Sequence, residues 1–208
     1  MVTTIGPELG HGTVARLVRG ALAVLIIAAL MTAYVSINFF FYFTVLSNIL
    51  AAILMAVLAV HPYPMTDNGL MRGAVTLYMT ITGLVYAVLL RPIEADVGLS
   101  DPWVNWVLHS LAPAALMIDW LLFPPRKRSE RSALWAWLIF PALFLVVTLI
   151  RGAITGFYPY PFLDPGGVGY PGVAGYSVGI LALFLAMGAF IRWWGNARGQ
   201  ELAIAPPV

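Results

Sequence analysis

The chain has 208 residues, 61% of them hydrophobic and only 10% charged, with a formal net charge of +2 and no cysteine. A soluble domain carries about 25% charged residues, so most of this surface is made for surroundings other than water. The missing cysteine excludes disulfides, a thiol nucleophile and a thiolate metal site, and no long basic run suits nucleic acid.

Apolar runs of about 20 residues, the length that crosses a bilayer as a helix, recur along the chain. They predict an all-α integral membrane protein, one domain over 1–208, with six spans at about 17–37, 40–60, 73–90, 103–123, 133–151 and 172–194. Before the first span the segment MVTTIGPELGHG has no basic stretch of a cleavable leader, so this run is expected to stay as a membrane helix. The spans are separated by His61-Pro62-Tyr63-Pro64, Arg91-Pro92, Pro124-Pro125 and the Pro/Gly-rich stretch Tyr158–Pro171.

With the N-terminus inside, Arg16, Arg19, Arg72, Arg126, Lys127, Arg128, Arg131, Arg192 and Arg198 fall on the inner side, and Arg91 and Arg151 on the outer. Lysine and arginine gather on the cytoplasmic face of membrane proteins, so both termini are expected to be cytoplasmic. Arginine outnumbers lysine ten to one, a balance common in GC-rich genomes, and the expected location is a bacterial plasma membrane.

The first span is nearly pure hydrocarbon up to Tyr34, Ser36 and Asn38. A very short turn makes it the antiparallel neighbour of the second. That span opens on the aromatic run 39–43, followed by Thr44, Ser47 and Asn48. These three lie at i, i+3 and i+4 and so share one helical face. The third span holds Thr76, Thr80 and Thr82, each able to bond back to its own helix.

The fourth span is the least apolar, with Asn105, His109 and Asp119. An ionisable side chain inside a membrane span is costly and marks a functional site by default. The plainer reading of His109 is a packing histidine held by one neighbour. Asn105 lies one turn above it and is placed to orient the ring. Asp119, about 15 Å further along the axis, is too far to act with His109 and suits pairing near the inner basic layer.

The fifth span contains Pro141. The sixth is glycine-rich, and its Gly175 and Gly179 are spaced for close helix contact, within the bundle or between copies of the chain as a homo-oligomer. Gly175-Tyr176-Ser177-Val178-Gly179 also matches G-x-S-x-G, but that motif needs a strand–turn–helix setting. Ser177 with His109 is kept as an alternative, an intramembrane serine hydrolase.

Thr44 lies about five residues into the second span and His109 about six into the fourth, so both are expected roughly 6–10 Å below the outer boundary. A hydroxyl and an imidazole at one level are the minimum for a nucleophile with its general base. His11 and His61 are expected at the other face, so no three-histidine metal site is expected. No cofactor is expected either.

Three segments together resemble a known family. Tyr42-Phe43-Thr44-Val45-Leu46-Ser47-Asn48 resembles the aromatic-x-Thr-x-x-(Asn/Asp) segment of the androgen-induced gene and ADTRP membrane hydrolases. Trp103-Val104-Asn105-x-x-x-His109-Ser110 resembles their W-L-N-x-x-x-H-T segment. Gly156-Phe157-x-x-Tyr160-Pro161-Phe162-Leu163-Asp164 is similar to their G-x-W-x-Y-P-F-L-E stretch. The resemblance implies a threonine-type hydrolase of lipid esters, such as fatty acid esters of hydroxy fatty acids, with Thr44 as nucleophile and His109 as base. Asn48, Ser47 and Asn105 are candidates to donate to the oxyanion or orient the base, and Tyr160 and Asp164 to cover the site. The polar residue after Thr44 is offset by one from the family position, Tyr42 stands where a basic residue is expected, and Asp164 replaces glutamate. Beside the hydrolase stands a non-enzymatic reading, a lipid- or small-solute-binding membrane protein in which Thr44 and His109 are a buried hydrogen bond.

Overall fold

The computed structural model describes residues 12–34, 36–61, 69–93, 101–125 and 128–204, and among these there is helix and no strand. His11, Pro62-Tyr63-Pro64, Arg126 and Lys127 lie outside the described residues. Helix α1 covers Thr13–Ala33 and α2 covers Phe43–Val60. Helix α3 begins as Leu70–Val85 and runs on through a π-turn, Tyr86–Leu90, and a 3₁₀ turn, Arg91–Ile93. Helix α4, residues 102–122, is α over Pro102–Trp106, π over Val107–Leu111 and α again over Ala112–Leu122. Helix α5 is Ser132–Thr155 and α6 is Pro165–Ile204.

Five stretches are long and apolar enough to cross a membrane: α1, α2, Leu70–Ile93, α5 and Pro165–Arg198 within α6. The fourth expected span is helical throughout but falls outside this set. The side chains that make it interesting, Asn105, His109 and Asp119, are the ones that dilute its apolar run.

Two boundaries differ from expectation in ways that matter. The aromatic run does not open α2: Ile37–Phe41 is a separate 3₁₀ segment, and Tyr42 is extended (φ −92°, ψ 130°) before α2 starts at Phe43. Within this segment Phe39 packs against Tyr34 and Phe41 against Arg151. The second is at the start of α6. Gly169 (φ 68°, ψ 163°) breaks the run, and Pro171 follows. Only glycine adopts such a conformation at little cost, and proline suits the first turn of the helix that resumes.

Helices α1 and α2 form an antiparallel hairpin, with the Arg16 Nε donating to the Ala59 carbonyl at 2.7 Å. The core has two lobes. One is built from α1, α2 and α4 around Ile26, Ala29, Ala51 and Leu116. The other lies between α3, α5 and α6 around Leu77, Trp137 and Ile191. Tyr42 and Leu50 pack against both lobes. Buried indoles and phenols are tied to carbonyls of neighbouring helices, as amphipathic rings require: Trp120 to Ile191, Trp137 to Leu70 and Tyr78 to Trp137.

The polar groups gather at the two ends of the bundle. At one end Asp119 accepts from Arg19 Nε at 2.7 Å and from Arg72 NH2 at 3.0 Å. Arg72 also donates to the Phe123 carbonyl at 2.8 Å, and the two guanidiniums lie over the Phe123 and Trp120 rings. Asp119 therefore pairs within the basic layer. At the other end Arg151 meets Asn38 and the aromatic run, beside Thr44 and Tyr160.

Candidate functional site

Thr44 is the second residue of α2. The first backbone N–H groups of a helix have no partner within it. Here the Thr44 N–H donates to the Tyr160 hydroxyl at 3.2 Å, and Thr44 Oγ1 lies 3.4 Å from the same oxygen. Tyr160 comes from the loop between α5 and α6, so a residue distant in sequence closes the N-terminus of α2. Thr44 is 8% exposed and Tyr160 7%. Burial pushes the Tyr160 phenol above its ordinary value, with its bonds to Thr44 acting the other way, and it is a neutral hydroxyl across the neutral range.

The loop is held from below and from the side. Tyr160 stacks flat on Phe162, with centroids 5.1 Å apart and planes at 4°, and meets the edge of Tyr42 at 5.7 Å. Tyr158 lies so close over α5 that a Cβ at Gly152 would fall inside its ring. Asp164 does not reach Thr44. Its Oδ1 accepts from the Gly166 N–H at 2.8 Å, and its carbonyl accepts from Gly167 and Val168, which caps the turn entering α6.

Thr44, Ser47 and Asn48 share a buried face, as their spacing predicts. Asn48 spends its amide hydrogens holding backbone: Nδ2 donates to the Thr44 carbonyl at 2.9 Å and to the Leu108 carbonyl of α4 at 3.1 Å. Its Oδ1 and the Ser47 hydroxyl are buried with no partner. A buried polar atom without a hydrogen bond is costly, so these two mark a place where the packing leaves polar capacity unspent.

His109 sits within the π-turn of α4. Its Nδ1 lies 3.2 Å from the Asn105 carbonyl. A carbonyl only accepts, so in this bond Nδ1 is the donor. The ring stacks on Tyr86, with centroids 4.5 Å apart and planes at 27°, and Asn105 Nδ2 donates to the Tyr86 hydroxyl at 2.9 Å. Asn105 therefore orients His109 twice, through its backbone and through Tyr86. Tyr86 opens the π-turn of α3, so the π-turns of α3 and α4 meet at this stack. Such turns are rare and recur at functional sites, because the extra residue re-aims side chains. His109 also borders a pocket of about 300 Å³ with Thr80, Gly83, Leu84, Ser110, Pro113, Ala114 and Met117.

Thr44 and His109 belong to adjoining turns but are not hydrogen-bonded to one another; the Thr44 hydroxyl is on Tyr160 and the His109 ring on Tyr86. One nitrogen, Asn48 Nδ2, bonds both the Thr44 and the Leu108 carbonyls, so the Thr44 turn of α2 lies beside the backbone that precedes His109. Ser177 has a buried hydroxyl with no partner and is not part of the His109 pocket wall. Gly175 and Gly179 do not pack tightly: a Cβ at either would meet nothing within 4 Å, and both line an open groove of about 530 Å³ facing Leu84 and Val88.

Tyr86 was not among the residues singled out from sequence, although a phenol within an apolar span is the same kind of signal that drew attention to His109. Nothing in the periodicity of either helix announces the π-turns. No family model, curated protein or solved structure matches the chain.

Proposed function

We propose that the chain is a six-span plasma-membrane hydrolase of acyl-lipid esters, with Thr44 as nucleophile and His109 as general base. Both termini are placed in the cytoplasm and the site near the outer face. This topology follows from the arginine asymmetry, and the activity from the resemblance to the androgen-induced gene and ADTRP hydrolases. The observation that carries the reading is the join made by Asn48, which bonds the Thr44 turn to the backbone beside His109, while Tyr86 and Asn105 hold the imidazole in a defined orientation.

In this reading Nε2 of His109 takes the Thr44 proton and Oγ1 attacks the ester carbonyl. The departing alkoxide takes that proton from His109, and water then hydrolyses the acyl-threonine. The hydroxyl and Nε2 come together on reaction; catalytic hydrogen bonds are often long until substrate is bound. Tyr160, a neutral donor already at Thr44, and the Ser47 hydroxyl are placed to stabilise the developing oxyanion. Losing a general base lowers turnover by about 10²–10⁴-fold. Ester hydrolysis by purified protein should therefore fall by that order in His109→Ala and to background in Thr44→Ala, with helical content retained. Unchanged turnover in both variants rules the reading out.

One observation favours a second reading, in which the chain binds a lipid without cleaving it: the Thr44 hydroxyl is engaged by Tyr160. A serine- and threonine-directed fluorophosphonate probe with peptide mapping separates the readings. Label on Thr44 supports the hydrolase, label on Ser177 moves the nucleophile to α6, and no label leaves the binding protein.

A further inference from the structure

Arg151 stands against the charge pattern of the chain. It is one of two basic residues on the sparsely charged side, in the last turns of α5. Its guanidinium does not turn out to water. It lies over two rings, 3.9 Å from the centroid of Phe41 and 4.8 Å from that of Phe157. Contact of this kind is favourable for arginine, but it makes none of the N–H hydrogen bonds. Those N–H groups lie in the guanidinium plane. There NH2 donates to Asn38 Oδ1 at 2.6 Å, while NH1 is buried without a partner. The described ion pairs both belong to Asp119 at the other end of the bundle, so Arg151 has a neutral amide and no carboxylate beside it.

A part-buried cation held against two aromatic rings, with NH1 unbonded, accepts a partner of narrow description: an anion with an apolar body compatible with the two phenylalanines. A planar carboxylate matches a guanidinium edge in this way. We propose that Arg151 is a recognition site for the carboxylate of a long-chain acyl lipid, the charge meeting NH1 and the chain lying in the surrounding hydrocarbon. The site is tied to the loop over Thr44, because Phe157 also meets Tyr42 at 6.2 Å and Tyr42 meets Tyr160. The binding does not depend on Thr44 being a nucleophile and is measured without turnover.

The test uses the full chain in a non-ionic detergent with three probes: a spin-labelled long-chain fatty acid, its methyl ester, and a phosphatidylglycerol with the same label. Electron spin resonance reads the immobilised fraction. The fatty acid should bind about tenfold more tightly than the ester, the scale of one charge-assisted hydrogen bond. Arg151→Gln should bring the ratio close to one. Asn38→Asp should do the same with the fold kept, because it supplies a carboxylate from within the protein, and it decides the matter where Arg151→Gln does not fold. Equal binding of acid and ester by the unsubstituted protein overturns the proposal, as does a ratio that survives Asn38→Asp. Tighter binding of phosphatidylglycerol than of the fatty acid overturns the carboxylate assignment in favour of a lipid phosphate.

Discussion

At the scale of single residues, Tyr160 holds the most chemistry per atom. One oxygen accepts from the Thr44 N–H and touches the Thr44 hydroxyl. Tyr160→Phe leaves that buried N–H without an acceptor, and the cost should be about 1–3 kcal/mol, seen as a lower unfolding temperature. The pH dependence has a definite sign. Burial raises the phenol above 10.0 in the folded chain, so its contribution is fully present below pH 10 and is lost as pH rises through the folded-state value. Unfolding temperatures of the two proteins should differ constantly from pH 7 to 9 and converge only above pH 10. Convergence near neutrality contradicts a buried neutral phenol at this position.

At the scale of elements, the loop between α5 and α6 is seated on α5 at Gly152. Any side chain there competes with the Tyr158 ring, and overpacking of this kind costs about 1–3 kcal/mol. Gly152→Ala should lower the unfolding temperature and expose the loop to proteolysis near Tyr158; a normal melting profile and an uncut loop would show that the ring does not pack there. The elements were legible in the sequence because hydrocarbon-length runs and proline-rich breaks are strong signals. Their finer structure was not. The 3₁₀ segment before α2 carries Phe41 onto Arg151, and the facing π-turns carry the Tyr86–His109 stack; both contacts join residues far apart in the chain. The face made by Thr44, Ser47 and Asn48 was readable from spacing alone. That Asn48 would spend its amide on Leu108, and Asp164 its carboxylate on Gly166, needed the third dimension.

At the scale of the whole molecule, one carboxylate organises one end of the bundle. Asp119 joins α4 to Arg19 of α1 and Arg72 of α3. Replacing it with asparagine keeps the shape and removes the charge that both guanidiniums pair with. Breaking such an arrangement costs about 3–5 kcal/mol. Asp119→Asn should therefore lower the unfolding temperature in detergent more than Gly152→Ala does. The reverse order would mean that water screens this end of the bundle.

The same carboxylate bears on how the chain is made. Synthesis runs from the N-terminus, and Arg19 and Arg72 emerge well before Asp119. Until α4 leaves the ribosome, the nascent hairpin and its third helix carry two cations without this counter-ion. A chain cut short before residue 119 therefore cannot complete this end of the bundle, and truncated products should be cleared by membrane quality control while the full chain accumulates.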